Sequence, residues 1–227
     1  DIGTAAAAEV TNLGNAGDIS LFSLRGNISA ASLMANTEAG SSNRANGGLI
    51  ALNALGGSIA AQHLDSTTVS PDAVKTQGGD IGLNAADSIV VDSIDASGEG
   101  QGGNIDVSTQ QSFRAVDTVV GTDASLLTTG GSTIRLTYSS EPVVPFVLGD
   151  STLHGTAGTI TSGVDTLSPP QTATQTVKLG TIELNNLFEP PAAPLPATLE
   201  SSPSSLFPIS LERFNPSETV LANYELN

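Results

Sequence analysis

Ser97 to Phe113 reads SGEGQGGNIDVSTQQSF, and its glycines at 98, 100, 102 and 103 stand among oxygen-bearing side chains that could do chemistry. Asp95, Glu99, Asn104 and Asp106 offer the hard donors that a calcium ion takes. Calcium loops of nonapeptide repeats recur every nine residues, and this one does not. A phosphate cradle would need a helix N-terminus after the loop. Here Ile105 and Val107 follow with the alternation of a strand. His63 and His154 are the only histidines and stand 91 residues apart. His63, next to Leu64, is expected to face solvent, and His154 to lie in a Gly/Thr loop; neither carries a catalytic motif around it. Asp87, Asp92 and Asp95 fall close together, where short acids terminate and solvate strand ends. The expectation is no catalytic residue and no cofactor, with glycines that turn the chain at positive φ.

The elements around that stretch recur. AGDISL, GGLIAL, GGDIGL, GGNIDV and GGSTIRL place Ile19, Ile50, Ile81, Ile105 and Ile134 behind a glycine, at steps of 31, 31, 24 and 29 residues. A second apolar position follows eight or nine residues later, at Ile28, Ile59, Ile89, Phe113 and Val143. A third comes five residues further on in the first three copies, at Leu33, Leu64 and Ile94. Each copy therefore predicts three short strands of period two, with a Gly/Ser/Asn-rich excursion after the third. The excursions are ANTEAGSSNRANGG, DSTTVSPDAVKTQGG, DASGEGQGG and GTDASLLTTGG. Such thin layers bury their apolar faces only by stacking. Each fully buried Ile or Leu contributes roughly 1.5–3 kcal/mol, so several layers together offset the ordering entropy that one alone does not.

Composition agrees with a stack of aliphatic ladders, since 38% of residues are apolar but only 4% are aromatic, with no Trp and no Cys. The formal charge of −16, from 23 acidic and 7 basic residues, argues against nucleic acid and anionic membrane surfaces as partners. No run of 18 apolar residues is present, so no membrane-inserted helix is expected.

An enzyme built on such a stack needs carboxylates gathered on an outward column. The outward positions of the first strands are Ser20, Ala51, Gly82, Asp106 and Arg135, and those of the second are Ser29, Ala60, Val90 and Arg114. The only charge pair in them is Asp106 with Arg135, and no outward column is expected to gather acids. Sugar platforms use aromatic faces, and Tyr138 and Tyr224 are the only tyrosines.

The GGxIx[LV] entries, the Ala/Ser/Asn-rich layers and above all GQGGNIDVSTQQSFRA resemble the filamentous-haemagglutinin-like exoproteins of two-partner secretion systems, over about residues 17–185. GDSTLHGTAGTITSGVDTLSPPQ is similar to the part that ends such repeats in cyanobacterial members, some of which continue through a Pro-rich connector to a CHAT (caspase-like) protease domain. The resemblance implies a right-handed parallel β-helix. It also implies an adhesin-like structural role at the cell surface or outside the cell, with surface glycans as possible ligands. The family's secretion module and the protease domain are not in this chain.

The expected organisation is an all-β solenoid over residues 1–187, with clear repeats in 17–140 and irregular last layers in 141–187. A Pro/Ser-rich linker over 188–210 and an extended or docking tail over 211–227 follow. Residues 1–16 read as the end of a preceding layer with Ile2, Val10 and Leu13 inward, or with a helical turn at Ala5–Ala8. Pro142 and Pro145 are expected to blunt the stack, because proline cannot donate to a ladder. Open strand edges recruit other strands, so self-association, neighbouring copies or the rest of a longer precursor are the expected partners. Phe207, Phe214, Leu221 and Tyr224 are the candidate docking residues of the tail.

Overall fold

Three largely parallel sheets surround one core, and as far as Tyr138 the chain visits each of them in turn on every circuit. The computed structural model describes residues 2–5, 8–9, 15–38, 45–69, 76–139 and 144–187, and none of these is helical. Phe207, Phe214, Leu221, Tyr224 and the whole of 188–227 lie outside them.

Sheet one stacks Ile19–Ser23, Ile50–Ala54, Ile81–Ala85, Ile105–Thr109, Ile134–Tyr138 and Ile182–Asn186 in parallel. Its register aligns Ile19, Ile50, Ile81, Ile105, Ile134 and Ile182 in one buried ladder. Leu21, Leu52, Leu83, Val107, Leu136 and Leu184 form the line beside it. Sheet two stacks Ile2–Ala5, Ile28–Ala30, Ile59–Ala60, Ile89–Val91, Phe113–Ala115, Gly155–Thr156 and Phe146–Leu148. Sheet three stacks Ala8–Glu9, Leu33–Met34, His63–Asp65, Ser93–Asp95, Ala124–Leu127 and Thr159–Thr161. As far as Tyr138, hydrogen-bonded neighbours in a sheet are thus one circuit apart in the chain, which makes a parallel β-solenoid around a single core from Ile19 to Leu184.

The columns Ile28, Ile59, Ile89, Phe113 and Leu33, Leu64, Ile94 fall where the repeat places them. Val143 lies outside the described residues, and Phe146 is the buried residue of the next sheet-two strand. The fourth circuit departs from expectation. GTDASLLTTGG is not an excursion after the third strand but contains it, because Leu126 pairs with Ile94 in sheet three and is fully buried. The extra loop of that circuit, residues 116–123, comes before sheet three instead. At the start of the chain Ala5 and Ala8 are both strand residues, so the helical-turn alternative fails at both ends of that run.

Pro142 lies outside the described residues, and Pro145 does not end the stack. Pro145 only precedes Phe146–Leu148, and sheet one gains Ile182–Asn186 above Ile134–Tyr138. The closing device is a reversal of direction after Thr161. Thr166–Leu167, Gln171–Ala173 and Val177–Leu179 lie antiparallel on the last strands of sheets three, two and one respectively. Asp165 ties this layer down: its carboxylate accepts from the Thr181 backbone N–H at 2.8 Å and from the Thr181 hydroxyl at 2.9 Å.

Candidate functional site

Paired glycines form the neck through which the chain enters the sheet-one strands at Ile50, Ile81 and Ile105. Gly47, Gly48, Gly78, Gly79, Gly102 and Gly103 do not have positive φ, which corrects the expected reason for them; only later glycines such as Gly130 and Gly131 do. Close stacking is the cause. A Cβ on Gly48 would stand 2.2 Å from the Gly17 carbonyl oxygen, one on Gly79 2.1 Å from that of Gly48, and one on Gly103 2.1 Å from that of Gly79. The second glycine also pins the base of each excursion, donating its N–H to Ala35, Ser66 or Ala96 at 2.7–2.8 Å. Inward hydroxyls complete the neck, with Thr128 Oγ1 donating to the Gly103 carbonyl at 2.6 Å and Ser66 Oγ to that of Gly48. These N–H groups are occupied by the fold and cradle nothing else.

The four calcium candidates are divided between settings. Asp95 and Glu99 line a cleft over sheet three. Asn104 bonds Asp80 and Thr133, and Asp106 faces outward on sheet one, 3.9 Å from Arg135. Arg135 also reaches Glu183 at 3.6 Å, one layer further on. The described residues hold no group of three or more metal-ligating side chains.

The cleft over sheet three has a volume of about 640 Å³. On its floor His63 is in register with Ser93, and Asp65 with Asp95. Two carboxylates therefore do occupy one outward column, contrary to the expectation drawn from the other two sheets. Strand spacing puts them about 4.8 Å apart at the backbone. His63 is half-buried rather than free in solvent, with Nδ1 2.9 Å from Ser93 Oγ. Asp65 accepts from the Thr67 N–H at 3.0 Å and from Asn36 Nδ2 at 3.4 Å. Asp95 accepts from the Ser97 N–H at 2.9 Å. Burial pushes the Asp95 carboxyl above its ordinary range; the Ser97 hydrogen bonds oppose this and the charge of Asp65 adds to it. Both acids thus close the turn at the end of their strands. The walls are Val69 on one side and the 116–123 loop, with Val119 and exposed Val120, on the other. The signal for this column was in the sequence: Asp65 and Asp95 each follow a third-strand apolar residue by one position, 30 residues apart.

His154 does not lie in an exposed loop. It is 3% exposed and packs edge-on against Tyr138 and Phe146, with ring centroids at 4.4 and 5.0 Å. Its Nδ1 accepts the Phe113 N–H at 3.1 Å, taking the place of a ladder carbonyl. Burial pushes its pKa down to about 4, opposed by the Phe113 carbonyl, which lies 3.2 Å from the same Nδ1 and would favour a protonated ring, so the ring is neutral. Burial likewise pushes the Tyr138 hydroxyl up to about 12. Neither group is set up for proton transfer with solvent, and their role is packing. No family model, curated protein or solved structure matches this chain.

Proposed function

We propose that this chain is a right-handed parallel β-helix segment of an adhesin-like, filamentous surface or secreted exoprotein, with a structural and adhesive role and no catalytic one. The unbroken aliphatic ladder of six in-register strands is the observation that carries this reading. A stack whose circuits add length without changing cross-section is a spacer, and its outward columns are mostly small and polar. The handedness follows from the general rule that parallel strands of one sheet are joined by right-handed crossovers in about 98% of cases. A Pro-rich extended arm over 188–210 and a location outside the cell complete the reading, on the resemblance of the repeats.

The experiment is incubation of the purified protein with pectin, alginate and neutral polysaccharides, with and without calcium. No reducing or unsaturated oligosaccharide should be released; release from any of them contradicts the non-catalytic role. The sheet-three cleft favours glycan binding as a second reading, since His63, Ser93, Asp65 and Asp95 present polar groups between apolar walls. A glycan array compared with that of the Asp65→Asn, Asp95→Asn double variant tests it. A bound glycan whose signal survives the substitutions would place adhesion elsewhere on the surface.

A further inference from the structure

The repeat is broken twice around the cleft over sheet three. The third circuit takes 24 residues from Ile81 to Ile105, where the two before it take 31 each. Its excursion is correspondingly short, so only Gly98 bridges back to Thr68 of the strand Thr68–Val69, and Val69 is left 55% exposed. The fourth circuit carries the 116–123 loop ahead of sheet three, which brings in Val119 and Val120, the latter 90% exposed. Departures from a repeat that otherwise keeps its register are where a site is expected. The volume of about 640 Å³ is that of a small-ligand site, which spans roughly 300–1,000 Å³.

The floor is unlike a solvated charged face. Along one outward column of sheet three the order is Met34, Asp65, Asp95, Leu127, so two half-buried acids stand in register with an apolar residue on either side. Like charges directly opposite on neighbouring strands destabilise a sheet. Among the described residues no Lys or Arg lines the cleft, and neither acid is in an ion pair. The neighbouring column, His63 beside Ser93, offers further donors and acceptors, and Thr67 and Thr129 add hydroxyls to the lining.

A ligand that fills this cleft removes water from both carboxylates. A neutral ligand leaves the like-charge pair uncompensated and an anionic one adds to it, whereas a cationic one offsets the desolvation. We propose that the cleft binds glycan through an amino sugar, a hexose unit with a free ammonium group. The ammonium lies between Asp65 and Asp95, neighbouring hydroxyls bond His63 and Ser93, and the C–H face of the ring packs on the valine walls. Preference over the N-acetylated unit comes from charge, and rejection of uronic acids from repulsion. The inference names the ligand class for the glycan-binding reading of this cleft and rests on that reading.

The test is an NMR titration of the full chain at about pH 6, below the ordinary range of an amine. The probes are the glucosamine tetramer, its fully N-acetylated form, tetragalacturonate, and cadaverine as a diamine without a sugar. The amino tetramer should shift the amides of Asp65, Ser93 and Asp95 and bind at least about tenfold more tightly than the acetylated one, as a charge-assisted contact does. The uronate should not bind. In the Asp65→Asn, Asp95→Asn double variant the amide oxygens can still accept from Thr67 and Ser97, so sheet one should keep its shifts while the tenfold preference disappears. Equal binding of the two tetramers, or a preference that survives the double substitution, overturns the inference and leaves the glycan-binding reading standing. Cadaverine binding as tightly as the amino tetramer also overturns it, because charge alone would then suffice. Unmoved Asp65, Ser93 and Asp95 with every glycan defeat the inference and the reading beneath it together.

Discussion

A methyl group on Gly79 would collide with a backbone oxygen at 2.1 Å, whereas one on Gly82, three residues along the same circuit, would meet nothing within 4 Å. Gly79→Ala should therefore cost about 1–3 kcal/mol, as overpacking against backbone does. Gly82→Ala should gain about 0.4–1 kcal/mol by restricting the unfolded chain. Urea unfolding of the two variants beside the parent checks both signs, and equal effects would refute the close-stacking role of the neck glycines. The spacing of those glycines was legible in the sequence, but their cause was not, since it lies in a carbonyl brought close by the preceding circuit. His154 was illegible for the same reason: its acceptor role depends on Phe113, 41 residues away. Its pKa falls from 6.5 unfolded to about 4 folded, so the fold holds it neutral. That contribution is fully present above pH 6.5 and is lost as pH falls towards 4, where it levels off; it amounts to roughly 3 kcal/mol. A His154→Gln variant should flatten this part of the stability–pH curve, and an unaltered curve would show that His154 does not carry it.

At the scale of elements, the reversed layer does what prolines were expected to do. Open edges of parallel sheets recruit strands, and the antiparallel strands laid on all three sheets leave edges of only two or three residues at that end. Leu167, 4% exposed, anchors the layer over sheet three. Leu167→Asp should lower stability by 2 kcal/mol or more, on the order of a lost buried side chain plus a misplaced charge. It should also raise the mass seen by light scattering as the three sheets open. Loss of stability with an unchanged mass would mean that this layer packs the end without protecting it. The strands themselves were legible because isoleucine, leucine and alanine alternate through every circuit. Their direction was not: TL, QTA and VKL read the same whether they run with the stack or against it, and only pairing with Ile160, Val147 and Leu184 fixes the sense.

At the scale of the whole chain the net charge is −16, and the described core is built mainly of Ile, Leu, Val and Ala, with Ser and Thr hydroxyls, Phe113, Tyr138, Phe146 and His154 also buried. The sheet-three cleft was only half visible in the sequence: the acids at 65 and 95 stand in plain register, but their apolar walls come from excursion and loop residues that carry no periodic signal. The central claim is that distance along the molecule counts circuits and not residues. It can be measured directly, because the chain has no native cysteine and the outward column Ser20, Asp106, Arg135, Glu183 accepts spin labels one pair at a time. With a strand spacing of about 4.8 Å, pairing Ser20 with Asp106, Arg135 and Glu183 should give backbone separations of about 14, 19 and 24 Å. The last step spans 48 residues and yet a single layer. An increment of one strand spacing there is the predicted result; a jump beyond about 10 Å, or a shortening, would contradict the solenoid.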